Sequence, residues 1–305
     1  MGCMRRGEQR ANKMTEERVP STFDEFMAKI TDAWHLSQDL AILRRLDNGR
    51  SGAYVAVVDV RGQDFNGQAI LKLSEDDRHD EKDRHERAVK FSGRFAEKHI
   101  PPLMNSACID RKSALLVRIV EGGLNFTQAF TRLPHGVRLA AGQTVSESIL
   151  VDWNKDYRIA PSPVAASELM GRWLGHRLDP SSGSGRLHDL LSNELEIAPD
   201  CVAFHVGGHV LPNPLSHALE PNRLGDAVTL MPAVGAMHGD LHGDNVLVGE
   251  MQKGRISYYL IDLADFEENT FLFFDNAYLE TSICIDERSY VPLPRWRIFV
   301  LAWQT

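Results

Sequence analysis

Met237-His238-Gly239-Asp240-Leu241-His242-Gly243-Asp244-Asn245-Val246-Leu247-Val248, followed after ten residues by Tyr259-Leu260-Ile261-Asp262-Leu263-Ala264-Asp265, is the stretch whose reading decides the fold. It holds four carboxylates, two histidines and one amide within thirty residues, bracketed by short apolar runs that read as strands. Such strands keep polar side chains at set separations because their own apolar residues are locked into a core. The polar residues stand where the strands begin and end, which is where an α/β scaffold usually carries its chemistry.

The spacing divides the labour. Asp240 precedes Asn245 by five residues, so a short loop can curl and bring both side chains into one cleft. Asp262 closes a second apolar run, residues 258–261. An amide and a carboxylate in one oxygen-lined site suit Mg²⁺, a hard cation that takes oxygen ligands and keeps part of its water shell. Asp240 is then left to accept a proton from a hydroxyl. Metal on phosphates, a base at the nucleophile and otherwise positioning are what phosphoryl transfer needs.

His238-Gly239-Asp240, then four intervening residues, then Asn245 resembles the catalytic loop of the aminoglycoside phosphotransferase and choline kinase-like superfamily. Ile261-Asp262-Leu263-Ala264-Asp265 is similar to that superfamily's metal segment, and Phe274-Asp275-Asn276-Ala277-Tyr278-Leu279-Glu280 to the helix after it. Three motifs in the right order are far more specific than one. More faintly, the chain resembles kinase-like domains associated with NTPase modules in bacterial conflict systems. Gly243-Asp244 departs from the superfamily's usual Pro-Gly and adds a charge beside the metal site.

The resemblance implies an α+β, two-lobed protein kinase-like fold with a small antiparallel-sheet N-lobe and a mainly helical C-lobe. It divides the chain into a leader (1–20), an N-lobe for the nucleotide (21–121) and a C-lobe (122–305) with the catalytic loop, metal segment and acceptor pocket. ATP and Mg²⁺ are the implied cofactors, and a hydroxyl-bearing small molecule is the acceptor. Three other readings stand beside this one, the first being a kinase-like nucleotide-binding regulatory or scaffolding module of a larger multidomain system that transfers no phosphate. Gly239-Asp240-Leu241-His242-Gly243 also fits the first motif of binuclear metallophosphoesterases, but the further Gly-Asp and Gly-Asn-His segments those sites need do not follow. Alternatively, the polar residues simply cap turns at strand ends.

Residues 1–20 are basic and aperiodic and read as a disordered leader. A helix is expected from Ser21 or Thr22, with Asp24 and Glu25 in its first turn. In residues 46–60 a turn with Gly49, Ser51 and Gly52 opens into a β-branched strand. Glycines there let backbone approach a phosphate. The next strand, residues 68–73, carries Lys72 between Leu71 and Leu73. A charge there is costly unless paired. It is either an edge-strand lysine reaching solvent or, as the kinase pattern implies, a phosphate-binding lysine held by a helix glutamate. Residues 80–99 read as that helix, with Ala88, Phe91 and Phe95 at helical spacing. Glu81 shares their face and is preferred to Glu86 as the partner. Ile100-Pro101-Pro102 ends the helix, strands are expected over 106–109 and 113–120, and Glu121-Gly122-Gly123 reads as a hinge. The resemblance implies that backbone at Glu121 reads the adenine edge.

Beyond the hinge, helices are expected over 144–153, 163–178 and 187–195, with a flexible link at 181–185. Residues 202–210 read either as a strand pair or as an irregular segment. The resemblance implies that His238 braces the catalytic loop and that Asp265 and Asp275 are structural. It leaves His242 and Asp244 facing solvent.

Composition excludes several classes. The chain has 305 residues, 43% hydrophobic and 25% charged, which suits an ordinary globular protein of one large or two small domains. A net charge of −8 argues against broad nucleic-acid binding. Cys3, Cys108, Cys201 and Cys284 stand far apart and form no metal-type pair, so a reducing, cytoplasmic compartment is expected. No apolar run approaches a membrane span and no secretory h-region follows Met1. Gly2-Cys3 lacks the Ser or Thr an acylation signal wants, because Arg6 stands there. Only about forty residues follow Asp262, fewer than kinase-like C-lobes usually add. The apolar end, Pro294 to Thr305, points to a partner surface, a further domain or a truncated lobe.

Overall fold

The structure is a computed structural model that describes residues 24–34, 40–46, 53–61, 66–74, 79–119, 128–166, 168–169, 171–172, 192–193, 196–198, 200–206, 209–213, 216, 229–252 and 255–287. The leader, Ser21 and Thr22, the turn with Gly49, Ser51 and Gly52, the hinge at Glu121 and the apolar end after residue 287 lie outside the described residues.

Five strands, β1 (Ala41–Leu46), β2 (Tyr54–Arg61), β3 (Asn66–Ser74), β4 (Leu103–Ile109) and β5 (Lys112–Arg118), form an antiparallel sheet in the order β1-β2-β3-β5-β4. Alternation along each strand gives the sheet two unlike faces. Ala56, Val58, Ala69, Leu71, Leu73, Ala114 and Leu116 line one face and pack with Phe26 and Ile30 of the helix α1 (Asp24–Ala33). Each fully buried leucine there contributes roughly 1.5–3 kcal/mol. Val57 and Ile70 line the other face, where they meet Leu247 and Tyr259. Lys72 belongs to this second face, two residues from Ile70. Its strand is flanked by β2 and β5, so the edge-strand reading is not what the structure shows.

Asp110 and Arg111 join β4 to β5 with φ of 53° and 64°. Two consecutive left-handed residues match the twist of a two-residue hairpin. Asp110 is also ion-paired with Lys29 of α1.

The helix expected over 80–99 is two helices, α2 (His79–Ser92) and α3 (Arg94–His99). Gly93, at φ 49°, breaks the run, because a left-handed residue cannot continue a right-handed helix. The strand β6 (Gln128–Ala129) follows, then a tight turn at Phe130–Arg132 and α4 (His135–Ser148). The expected start at residue 144 is thus nine residues late, and Ile149–Trp153 forms a π-type turn rather than α-helix. Gly142 explains the weak helical signal. A Cβ there would lie 3.2 Å from Ile283 and 3.4 Å from Phe130, so low helix propensity is accepted in return for close packing.

Short strands β7 (Arg158–Ile159), β8 (Val164–Ala165), β9 (Ala203–Val206), β10 (His209–Pro212), β11 (Thr229–Leu230) and β12 (Ala233–Met237) come next. β9 and β10 pair antiparallel, which resolves residues 202–210 as a strand pair. β8 pairs with β11 where a helix was expected to start, and the described residues that follow it, 166, 168–169 and 171–172, are helical. Most of the helix expected over 187–195 lies outside the described residues.

The chain ends in β13 (Val246–Gln252), β14 (Arg255–Leu260), β15 (Glu267–Phe271) and α5 (Phe274–Glu287). The described residues after 122 carry ten short strands beside two longer helices. The fold is α+β with antiparallel sheets.

Residues 1–155, 236–268 and 273–305 make one compact unit, and 156–235 with 269–272 make a second. In the first unit a second core gathers Phe95, Phe130, Trp153, Tyr258, Leu260, Leu263 and Phe266. Phe95 stacks on Trp153 at 4.9 Å and His99 on Tyr258 at 4.1 Å. No described helix is long and apolar enough to cross a membrane. Cys108 and Cys201 carry free thiols.

Candidate active site

All the described candidate residues belong to the first unit. Lys72 points off the second face of β3, because Leu71 and Leu73 on either side are committed to the opposite core. Its Nζ donates to Glu81 Oε1 and to Asp262 Oδ1, each at 2.7 Å. Glu86 instead faces Lys82 of its own helix at 3.6 Å, so Glu81 is the glutamate that meets Lys72. Lys72 and Glu81 keep 13% and 7% of their side-chain surface, and Asp262 keeps 29%. Burial alone pushes the ammonium of Lys72 down, but Asp262 and Glu81 outweigh it and hold it above its ordinary value. Burial likewise pushes Asp262 up, and Lys72 holds it below the usual carboxylate range. One cation between two carboxylates leaves the group with a net negative charge.

The 237–245 loop is anchored at Leu241 and Val246, both fully buried. Asp275, in the first turn of α5, accepts the backbone N–H of His238 at 2.6 Å and of Gly239 at 3.1 Å. Its carboxyl is fully buried, and burial raises its pKa. His238 uses both ring nitrogens on the backbone: Nε2–H donates to Ile261 O at 2.9 Å, and Nδ1 accepts the Asp240 N–H at 3.4 Å. His238 therefore ties the loop to the segment bearing Asp262. Gly239 sits at φ 89°, and a Cβ there would lie 2.3 Å from Asp265 O, so only glycine fits.

Asn245 Nδ2 donates to Asp240 O at 2.8 Å across the turn Gly243–Asn245. With the amide nitrogen spent, its oxygen is the end left to act as a ligand. The β13–β14 ladder pairs Val246 with Leu260, and Ile261 N–H donates to Asn245 O at 3.0 Å. That register sets Asn245 and Asp262 at the same end of one ribbon. Both offer oxygen, the donor Mg²⁺ prefers, and the pair fits that ion. No cluster of three or more His, Cys, Asp or Glu occurs among the described residues.

The side chains of His242 and Asp244 are engaged as well. His242 Nδ1 accepts Asp244 N–H at 3.2 Å, and its Nε2 stands 3.6 Å from Asp240 Oδ2. Thr131 Oγ1 donates to Asp244 Oδ1 at 2.5 Å. Asp244, although exposed, thus braces the loop against the turn before α4. Asp265 is 3.6 Å from Arg84 of α2.

No protein-family model matches the sequence, and no curated protein matches it. Several solved structures are similar to it. The microcompartment-associated aminopropanol kinase is 15% identical, with 89% of this chain covering 82% of that one at a TM-score of 0.42. WaaP in complex with acyl carrier protein is 14% identical, with coverage of 94% and 95% and a TM-score of 0.33. The PknI kinase domain of Mycobacterium tuberculosis is 13% identical, with a TM-score of 0.27. The match takes in 74% of this chain and spans only 59% of that kinase domain. None of these three scores reaches 0.5, and likenesses at that level carry no argument about chemistry, so the site is read from its residues.

Sequence reasoning missed two features. Val57, Ile70, Leu247 and Tyr259 form an apolar cluster on the same sheet face as Lys72, with Val55, Val117 and Ile261 beside it. Strict alternation along β2 and β3 was the signal for it. Arg84, three residues after Glu81, donates to Ala264 O at 2.8 Å. Helical spacing had already put it on the face of Glu81.

Proposed function

We propose that this chain is an ATP- and Mg²⁺-dependent phosphotransferase of kinase-like, two-lobed fold that moves the γ-phosphoryl group to a hydroxyl of a small molecule. One observation carries the reading: Lys72 on β3 meets Glu81 on α2 and Asp262, 190 residues further along the chain, at hydrogen-bond distance. A lysine held between a helix glutamate and the aspartate of a second motif has little structural justification, since replacing such a buried group by apolar residues is often neutral or stabilising. It has a clear use as a phosphate anchor.

Lys72 carries three donors, and Glu81 and Asp262 take two, which leaves a third for an oxygen of the α- or β-phosphate. Asn245 and Asp262 would hold Mg²⁺, which when bound neutralises charge on the phosphates. Asp240 accepts the proton of the acceptor hydroxyl as its oxygen attacks the γ-phosphorus and the bond to the β-phosphate oxygen breaks, leaving ADP. The carboxylate is aimed by Asn245, which holds the Asp240 carbonyl, and by His238, which holds its N–H. The cluster of Val57, Ile70 and Leu247 supplies an apolar wall for the base. The same reading assigns Gly49, Ser51 and Gly52 to the phosphates and the backbone at Glu121 to the adenine edge.

The test is purified protein with γ-labelled ATP and a set of hydroxylated small molecules, run beside Asp240→Asn. Label transfer that falls by about 10²-fold or more in the variant supports the reading. ATP binding without Asp240-dependent turnover overturns it and leaves a nucleotide-binding module that transfers nothing.

A further inference from the structure

We propose that Arg84 is a positioning residue for the Asp262 carboxylate, acting through the backbone of the turn 262–266; the inference rests on the metal role given to Asp262 above. Asp262 sits at φ 64°, a left-handed conformation that is strained for a non-glycine residue and persists only where neighbours enforce it. The turn that enforces it is held at several points. Leu263 and Phe266 are sunk in the core, and Phe266 N–H closes the turn on Leu263 O at 3.1 Å. The Ala264 N–H is hydrogen-bonded to the Asp262 carboxylate. The Ala264 carbonyl accepts from Arg84 Nη1 at 2.8 Å, and the same nitrogen is 3.6 Å from Asp265 Oδ1.

Ala264 is therefore the link: its N–H orients the carboxylate, and its C=O is fixed by the guanidinium. Arg84 is 29% exposed along its side chain, so its hydrogen bond is partly shielded from water. A charged donor on a carbonyl is also among the stronger hydrogen bonds. Glu81 and Arg84 are three apart on one face of α2, so the helix grips Lys72 with the first and the Asp262 turn with the second. Arg87, one turn further on, pairs with Glu268 at 3.4 Å and lies over the Phe266 ring, 6.0 Å from its centroid. It donates to a side chain beyond the turn and not to the Ala264 carbonyl, which makes it the internal control for a guanidinium beside the same segment.

Binding of a non-hydrolysable ATP analogue is titrated by calorimetry with and without Mg²⁺ for the wild type, Arg84→Met, Arg84→Lys, Arg87→Met and Asp262→Ala. Methionine keeps the packed stem and removes the guanidinium. Arg84→Met is expected to weaken Mg²⁺-dependent binding about tenfold, the lower end for residues that orient a metal ligand. Binding without Mg²⁺ stays at the wild-type level, Arg84→Lys recovers part of the loss, and Arg87→Met behaves as wild type. In metal-free protein, amide exchange over residues 262–266 rises in Arg84→Met and not in Arg87→Met. Wild-type Mg²⁺ dependence in Arg84→Met, or an equal loss with and without Mg²⁺, overturns the inference. If Arg84→Met does not fold, Arg84→Lys decides by the same criterion. Should Asp262→Ala also keep its Mg²⁺ dependence, the metal reading itself fails; if Asp262→Ala loses it and Arg84→Met does not, the inference alone fails.

Discussion

Replacing Lys72 by methionine tests whether the central ion group exists in solution. The substitution keeps the stem and removes the ammonium, leaving Glu81, 7% exposed, and Asp262, 29% exposed, without their shared cation. Removing one partner of a buried pair costs about 3–5 kcal/mol, because the remaining charge is uncompensated. Water reaching Asp262 places this case at the lower end, about 3 kcal/mol. For a chain of this size that corresponds to a fall in Tm of roughly 6 °C.

The pH dependence sharpens the test. In the wild type the folded pKa of Lys72 is raised above 10.5, so its contribution is full below 10.5 and is lost as pH rises through the folded value. The folded pKa of Asp262 is lowered below 3.8, so its contribution is full above 3.8 and is lost as pH falls through the folded value. Between these limits the wild-type term is flat. In Lys72→Met the stranded carboxylates gain by taking up protons, so the deficit is largest near neutral pH and shrinks on acidification. Thermal unfolding of both proteins at pH 7 and pH 5 reads this out. A variant that melts with the wild type at pH 7, or whose deficit grows at pH 5, refutes the reasoning.

Gly239→Ala puts a methyl 2.3 Å from Asp265 O at φ 89°, and is expected to cost about 3 kcal/mol in urea unfolding; an unchanged midpoint would show that the loop does not approach Asp265 so closely. His85 is buried, and its Nε2–H donates to Pro101 O at 3.0 Å. Burial lowers its folded pKa, so the unfolded chain takes up the proton first and stability falls as pH drops below about 6.5. His85→Gln should flatten the stability profile between pH 7 and pH 5, and a slope equal to that of the wild type would contradict this. Asp262→Ala is expected to abolish Mg²⁺-dependent nucleotide binding in calorimetry, and an unaltered Mg²⁺ titration would remove Asp262 from the metal site.

What could be read from the chain, and what could not, separates along the range of the interactions involved. Lys72 was legible because Leu71 and Leu73 alternate with it, and alternation alone assigns the three residues to two faces. Glu81 was legible for the same kind of reason, seven residues before Ala88 on one helix face. The strand β1 was missed because Arg44 and Arg45 interrupt its apolar pattern; Arg45 lies over the ring of Tyr54 at 5.3 Å, a contact that only the folded sheet supplies. The break at Gly93 rests on its positive φ, and the early start of α4 on the close packing that Gly142 meets in space. The two-residue strands of the second unit are too short for any period to register. Arg84 shows the limit most clearly. Its position on the helix was available from spacing, but its partner is a main-chain carbonyl, a group every residue carries. Side chains announce their chemistry in a sequence, whereas the peptide group becomes specific only when the backbone is bent to present it. At Ala264 that bend is the left-handed turn begun by Asp262, so the residue that fixes the turn stays hidden until the turn itself is seen.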